Sequence, residues 1–291
     1  MAVWETVLEN AYELAKARPL KVVFPEAGQD ARIDGAMAQL LSGGLARPLS
    51  LKDPDEAQLA ALLATRPMKE ALAKRMLQKP LIRAAAMVAA GQADVMVAGA
   101  VNATRRVIEA ASLAIGMADG VALPSSFFLM IFPDGRELIF ADCAVNVAPD
   151  APALADIAKV SMISGKALFG DARGAMLSFS SGTSGTGASV QMVRDATDLA
   201  GGNLVGPVQG DGALNATIAA AKGVGDGDAN VLIFPSLDAG NIAYKLAQEL
   251  GGAQAVGPIL QGFAAPVCDL SRGASVSDIV AATVLTAALA K

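Results

Sequence analysis

Asp94-Val-Met-Val-Ala-Gly99 reads as a buried strand running into a glycine, and residues 103–115 follow it as a helix. Worked back from this unit, the alternation recurs. Val3, Trp4, Val7, Leu8, Ala11, Tyr12 and Leu14 fall at helical spacing over 3–16. Lys21-Val-Val-Phe-Pro25 is a short strand stopped by proline, and Glu26-Ala-Gly-Gln-Asp30 is a loop. Residues 31–42 are helical until Gly43-Gly44, and Arg47–Leu51 is a second strand. Asp53-Pro-Asp-Glu56 opens a helix with its acids and proline in the first turn. Residues 68–90 make two helical pieces broken near Pro80. The order α, β, α, β, α, α, β, α predicts a parallel sheet flanked by helices.

Worked forward, the pattern changes. Ser126–Phe132 and Glu137–Phe140, joined through Asp134-Gly135, predict a hairpin and therefore a mixed sheet. Helices are expected at 151–168, 189–200, 212–222 and 238–250. Strands are expected at 175–179, 204–208, 230–234 and 255–260, before 263–291 closes the chain. A length of 291 residues suggests two domains.

Composition excludes several classes. The chain is 53% apolar with a net charge of -5, and no basic cluster suits a nucleic-acid backbone. It has no histidine, which removes a Ser-His-Asp triad, histidine zinc sites and histidine bases. Acid–base work falls to Asp, Glu, Lys, Tyr or Cys. Cys143 and Cys268 have no metal-type spacing and read as buried thiols of a reducing compartment. The first residues show no signal-peptide core, and the longest uncharged apolar stretch, Ile279–Ala290, is too short for a bilayer. A soluble, cytoplasmic protein is expected, without nucleic acid or membrane as partner.

Chemistry-bearing residues gather in a few places. In Cys268-Asp-Leu-Ser-Arg-Gly-Ala-Ser-Val-Ser-Asp-Ile-Val280 an apolar run turns at Gly273 and enters the last helix. Ser271 offers a hydroxyl, Arg272 a planar cation matched to phosphate, and Asp278 a carboxylate. The cation stands just before a helix start, where free N–H groups also favour an anion. Ser275-Val-Ser-Asp278 is equally a capping box. Ser180-Ser-Gly-Thr-Ser-Gly-Thr-Gly187 joins a strand to a helix and reads either as a phosphate cradle or as a surface turn. Pro235-Ser-Leu-Asp-Ala-Gly-Asn-Ile-Ala-Tyr-Lys245 is a second such corner, with Asp238 as a possible cap and Asn241 and Lys245 on one side. Gln209 and Asp211 close a third. Ligands of open α/β sheets bind at such strand ends, so three polar corners favour one crevice.

With these stretches in view, the chain resembles the phosphate acetyl/butyryl transferase family, its phosphotransacetylases in particular. The resemblance is carried by Phe140-Ala-Asp-Cys-Ala-Val-Asn146, Ala175-Met-Leu-Ser-Phe-Ser-Ser-Gly-Thr-Ser-Gly185, Asn230-Val-Leu-Ile-Phe-Pro235, Asp238–Lys245, Gly257-Pro-Ile-Leu-Gln-Gly262 and Asp269-Leu-Ser-Arg-Gly273 with Asp278. It implies an α/β fold of two three-layer α/β/α domains with mixed, mostly parallel sheets and the active-site cleft between them. The domains are expected as 1–122 plus 262–291 and 123–261. It further implies a homodimer and reversible acetyl transfer between acetyl phosphate and coenzyme A, releasing or consuming orthophosphate. Neither a metal nor a permanently bound cofactor is implied.

The family's catalytic serine, arginine and aspartate fall on Ser271, Arg272 and Asp278. Ser180, Gly182, Thr183, Ser184, Gly185, Asn241, Lys245, Gln261, Arg105 and Arg106 are the candidate substrate-binding residues. Asp278 would take the thiol proton. Reference values of about 3.9 and 8.5 leave a mismatch of roughly 6 kcal/mol, so transfer concerted with attack or a partly buried Asp278 is required. Arg272 would hold the departing phosphate, and Ser271 would donate to the thiolate or oxyanion. The chain departs from the family at Glu109 and Asp228, where basic residues are usual; Arg105 and Arg106 stand one turn before Glu109. The alternatives are a propionyl or butyryl transferase, and an acyl-CoA-binding regulatory module without turnover. A dehydrogenase of the isocitrate type lacks the clustered acidic ligands it needs.

Overall fold

The computed structural model describes residues 6–290. Val3 and Trp4, assigned to the first helix from spacing, lie outside the described residues. Helix α1 (Val7–Ala17) begins at a capping box between Thr6 and Glu9. Next come β1 (Leu20–Val23), α2 (Ala31–Ser42), β2 (Ala46–Leu49), α3 (Glu56–Thr65), α4 (Glu70–Met76), α5 (Pro80–Ala89), β3 (Val95–Ala98) and α6 (Thr104–Ala114). Pro80 opens α5, where a missing N–H leaves no bond unmade. Asp55 caps α3, so Asp53 and Pro54 precede that helix instead of forming its first turn. The hairpin of β4 (Ser125–Ile131) and β5 (Glu137–Ala141) leads to α7 (Ala151–Phe169), β6 (Gly174–Leu177), α8 (Ala188–Ala200) and β7 (Leu204–Val208). Then follow α9 (Gly210–Leu214), α10 (Ala216–Lys222), β8 (Val231–Ile233), α11 (Leu237–Gly251), β9 (Gln254–Gln261), β10 (Val267–Asp269) and α12 (Val276–Ala288).

Two further local expectations are corrected, and one strand is added. The helix expected over 212–222 is two, because Asn215 is extended and its side chain accepts from Thr217 N and Ile218 N to cap α10. Ser236, and not Asp238, caps α11; Asp238 sits in its first turn. The apolar run before Cys268 ends in a strand, β10, which is too short to show a period.

The α/β chain divides into two units. One runs to Gly120 and resumes at Val256; the other spans Val121–Ala255. In the first, the strand order is β2-β1-β3-β10-β9. The first four are parallel and β9 is antiparallel to β10. Helices α1, α2 and α12 pack together, and α3 to α6 form a second group. Residues Ile279–Ala287 of α12 are all buried, as suits a helix apolar on every side. In the second unit the order is β4-β5-β8-β6-β7, with β4 antiparallel to β5 and the rest parallel. Phe128, Phe140 and Phe234 centre its core, and Tyr244 of α11 stacks on Phe128 with ring centroids 4.3 Å apart. No helix among the described residues is long and apolar enough to cross a membrane.

Candidate active site

In each unit the loops after the parallel strands lie along one edge of the sheet, the edge at which α/β proteins bind ligands. In the first unit these loops follow β1, β3 and β10. The bend after β10 carries Ser271 and Arg272, both exposed. Ser271 Oγ accepts from Gly273 N at 3.3 Å, and its carbonyl accepts from Ala274 N at 3.0 Å. The hydroxyl proton of Ser271 is thereby left to donate elsewhere. The guanidinium of Arg272 makes no hydrogen bond or ion pair with the described residues.

Asp278 is the third residue of α12 and completes its capping box. Its Oδ2 accepts from Ser275 N at 2.9 Å and from Ser275 Oγ at 2.7 Å. Both bonds go to the same oxygen, and Oδ1 takes none from the described residues. The cap and the base are therefore compatible: one oxygen fixes the helix start and the other has free lone pairs.

Beneath this bend lies a polar network that local sequence patterns do not announce. Glu26, after β1, is fully buried. Its carboxylate accepts from the backbone N–H groups of Gly99, Ala100, Val101 and Asn102, at 2.9 to 3.2 Å, and from Asn102 Nδ2 at 2.8 Å. Successive N–H groups turned inward make an anion nest, here filled by the protein's own acid. Gly99 has φ +111°, and a Cβ there would stand 2.5 Å from Asp269 Oδ1 and 2.6 Å from Leu270 N. Only glycine allows this conformation and this approach. Asp269 is buried with Oδ1 unpartnered among the described residues. Its pKa is pushed up to about 6, first by burial and then by the charge of Glu26, against the Thr104 hydroxyl. Arg106, Lys79, Gln29, Asn102 and Glu109 line a cavity of about 540 Å³ beside the same loops. Arg105 is exposed on the same helix and does not line it. Gln261 is buried at the end of β9.

In the second unit the loop after β6 folds on itself. Ser180 is buried, and its Oγ lies 3.1 Å from Ser184 Oγ, which also accepts from Ser181 N at 3.2 Å. A Cβ on Gly185 would stand 2.7 Å from Ser180 Oγ, so the glycine lets the loop close. Thr183 and Gly185 line a cavity of about 420 Å³ with Thr186, Gly187, Gln191 and Arg194. Arg194 reaches back to the Gly182 carbonyl at 2.8 Å. It is a cation that spacing did not single out, since it lies two turns into α8. Gly187 caps α8 without a side-chain bond, leaving N–H donors at the cavity. Ser181 Oγ accepts from Gln209 N at 3.0 Å, joining this loop to the corner after β7, where Lys222 binds Asp211 at 2.8 Å. The corner after β8 makes a different connection. Asn241 Nδ2 donates to the Cys143 carbonyl at 3.2 Å, and Lys245 Nζ stands 4.9 Å from the Tyr244 ring. Asp228, like Asp171, is paired with Arg173.

Both cysteines are free and buried, and burial pushes both thiols far above the ordinary range. Neither is a nucleophile in this setting. Asp269 has a basicity closer to that of a thiol than an ordinary carboxylate has, but it is sealed from solvent, whereas Asp278 is half-buried.

Comparison with known proteins gives consistent matches. The model of the family described as phosphate acetyl/butaryl transferase matches residues 50–287. The chain is 39% identical to a phosphate acetyltransferase of Paracoccus denitrificans, over 96% of this chain and 98% of that one. It is 41% identical to a phosphate acetyltransferase of Nitrosomonas europaea over 88% of this chain, but spans only 39% of that longer relative. Among solved structures, the EutD phosphotransacetylase of Staphylococcus aureus superposes with a TM-score of 0.88 at 33% identity, covering 97% of both chains.

Proposed function

The chain belongs to the phosphate acetyl/butaryl transferase family, and from that premise we propose that it moves an acetyl group reversibly between acetyl phosphate and coenzyme A. It is an acyltransferase. The observation that carries the residue assignment is the bend after β10. There an unpaired arginine, a serine with a free hydroxyl proton and a carboxylate with one unoccupied oxygen stand within eight positions. In the forward direction the thiol of coenzyme A gives its proton to Asp278 Oδ1 as sulfur bonds to the acyl carbon. Ser271 donates to the oxygen that becomes the oxyanion. The bond from acyl carbon to phosphate oxygen then breaks, and orthophosphate leaves against Arg272. Concerted proton transfer removes the need for a free thiolate. Coenzyme A enters as a substrate and no resident cofactor takes part.

The remaining candidates are proposed as substrate contacts. Arg106, beside Lys79, supplies positive charge for a phosphate, while Glu109 in the same cavity weakens that field. The loop of Ser180, Gly182, Thr183, Ser184 and Gly185 offers hydroxyl and N–H donors. Asn241, Lys245, Gln261 and Arg105 complete the set. A homodimer is proposed from the exposed stripe of Ile242, Leu246 and Leu250, at four-residue spacing on α11. A cytoplasmic location is proposed from the two free thiols.

The test is thioester absorbance with coenzyme A and acetyl, propionyl or butyryl phosphate, in metal-free buffer. Acetyl phosphate is expected to turn over fastest. Binding of coenzyme A with no turnover of any acyl phosphate would leave a regulatory module instead. Arg272→Ala is expected to lose about 3 kcal/mol of transition-state stabilisation, seen as a fall of at least a hundredfold in kcat/KM. A loss below tenfold would remove Arg272 from the reaction.

A further inference from the structure

Arg32 stands second in α2, in a turn where the helix dipole disfavours a cation. What holds it there is a complete set of partners. Its backbone N and Nε donate to Asp30 Oδ1 at 2.8 and 3.0 Å, and Nη2 donates to Asp30 Oδ2 at 2.7 Å. Nη2 also reaches the Ala100 carbonyl at 3.4 Å. Nη1 donates to two carbonyls of the bend after β10: Arg272 O at 2.7 Å and Ala274 O at 2.9 Å. A guanidinium has five N–H donors, and here all five are committed. Asp30 is held at about 2 by these bonds to Arg32, so the pair stays ionised across the working pH range.

We infer that Arg32, oriented by Asp30, is a positioning residue for the reaction, fixing the backbone from which Arg272 projects. It rests on the assignment of Arg272 to the departing phosphate. The bend is closed from within by Ser271, through Gly273 N and Ala274 N, and from outside by Arg32, through the carbonyls of residues 272 and 274. The peptides on the C-terminal side of Arg272 are thus pinned by charge-assisted bonds, while its own head group has no partner among the described residues. A long side chain with a free end depends on its backbone for aim. A displacement near 1 Å costs about a hundredfold in rate. The same guanidinium touches Ala100, whose N–H binds Glu26 at 2.9 Å, so the bend is tied to the nest after β3 as well. Lysine cannot replace this clamp, because its point charge lacks the planar fork that binds Asp30 and both carbonyls together.

The test is a double-mutant cycle on the full chain with coenzyme A and acetyl phosphate. Arg32→Lys is expected to lower kcat by about thirtyfold while KM for coenzyme A stays within about threefold, since the ligand contacts remain but the aim is lost. In an Arg272→Ala background the same change is expected to alter the residual rate by less than about twofold, because nothing is left to aim. Asp30→Asn, which keeps the cation but loosens the fork, is expected to lower kcat by about tenfold. It decides alone if Arg32→Lys fails to fold. Equal losses in both backgrounds, or a kcat within twofold of wild type for Arg32→Lys, overturn the positioning role and leave Arg272 untouched. A loss below tenfold for Arg272→Ala in the wild-type background overturns the parent assignment instead.

Discussion

Glu26 of the first unit and Asp142 of the second are both carboxylates buried at the polar edge of their sheets, and the two are held in different ways. Glu26 of the first unit takes its bonds from residues 99–102, more than seventy positions along the chain. Asp142 of the second takes most of its bonds from its own turn: Ala144 N, Val145 N, Asn146 N and Asn146 Nδ2. Only the Ser126 hydroxyl comes from a neighbouring strand. Asp142 organises a turn that local chain entropy already favours. Glu26 joins two segments whose meeting depends on the whole sheet, so its bonds hold tertiary structure together.

The sharpest way to break this contrast is to neutralise each acid. Glu26→Gln places an NH2 group among N–H donors, so Ala100 N or the groups on the other oxygen lose their acceptor, and the remaining bonds lose their charge. It should cost about 5 kcal/mol, read as a lowered urea midpoint. Asp142→Asn should cost about 3 kcal/mol, because its turn retains part of its geometry locally and an amide oxygen still accepts from it. Equal costs would mean that sequence distance is irrelevant to how these acids act. Next in size are the glycines that let each acid's surroundings close. Gly99→Ala forces φ +111° on an alanine and drives Cβ into Asp269 and Leu270, for about 4 kcal/mol. Gly240→Ala drives Cβ into the Asp142 carbonyl and Cys143, but its φ is ordinary, so about 2 kcal/mol is expected. A cost for Gly240→Ala as large as that for Gly99→Ala would show that packing, not backbone strain, dominates at both sites.

The same contrast explains what was legible in the sequence. The strands and helices were, because periods of two and 3.6 are written locally. The parallel order and the hairpin were legible too, as was the capping box of Ser275 and Asp278. The Phe140–Asn146 stretch was singled out by its resemblance to the family, and the role of Asp142 within it, holding donors that are its chain neighbours, came only with the structure. Glu26, Asp30 and Arg32 looked like an ordinary loop and helix start. Their partners at residues 99–102, 272 and 274 are distant in sequence, and no local period encodes them. Asp269 was quoted within a motif, but its burial arises from β3 beside β10, and β10 was too short to be seen as a strand. Asn215 split a helix because a side-chain cap outcompeted continuous apolar spacing.

Asp269 offers a finer probe of the first unit, with an expected effect of about 3 kcal/mol, from two pKa units at roughly 1.4 each. Its acid is raised from 3.8 to about 6. Below about pH 4 both folded and unfolded chains hold the proton. Between about pH 4 and 6 the unfolded chain releases it first, so this group's contribution to stability falls as pH rises and is gone above about 6. Asp269→Asn should lack that segment. The difference in unfolding free energy between variant and wild type should therefore shift toward the variant from pH 4 to 7, by guanidinium titration. A constant difference would mean that Asp269 is not protonated in the fold.

The smallest effects test whether helix caps in the two units differ in role. Ser236→Ala removes a single bond, from Ala239 N to the Ser236 hydroxyl at 3.3 Å, and should cost about 1 kcal/mol. Ser275→Ala removes a similar bond, from Asp278 N at 3.2 Å, and should also cost about 1 kcal/mol. Ser275 Oγ, unlike that of Ser236, also donates to a carboxylate assigned to the reaction, and that bond fixes which oxygen of Asp278 faces the helix and which remains free. Loss of the hydroxyl leaves only Ser275 N to hold Asp278, so the side chain gains rotamers in which the base is misdirected. Ser275→Ala should therefore lower kcat by about threefold to tenfold, whereas Ser236→Ala should leave it unchanged at the same loss of stability. Equal kcat values for the two variants would show that the capping box of α12 is a helix start and nothing more, and Asp278 would then need another group to orient it.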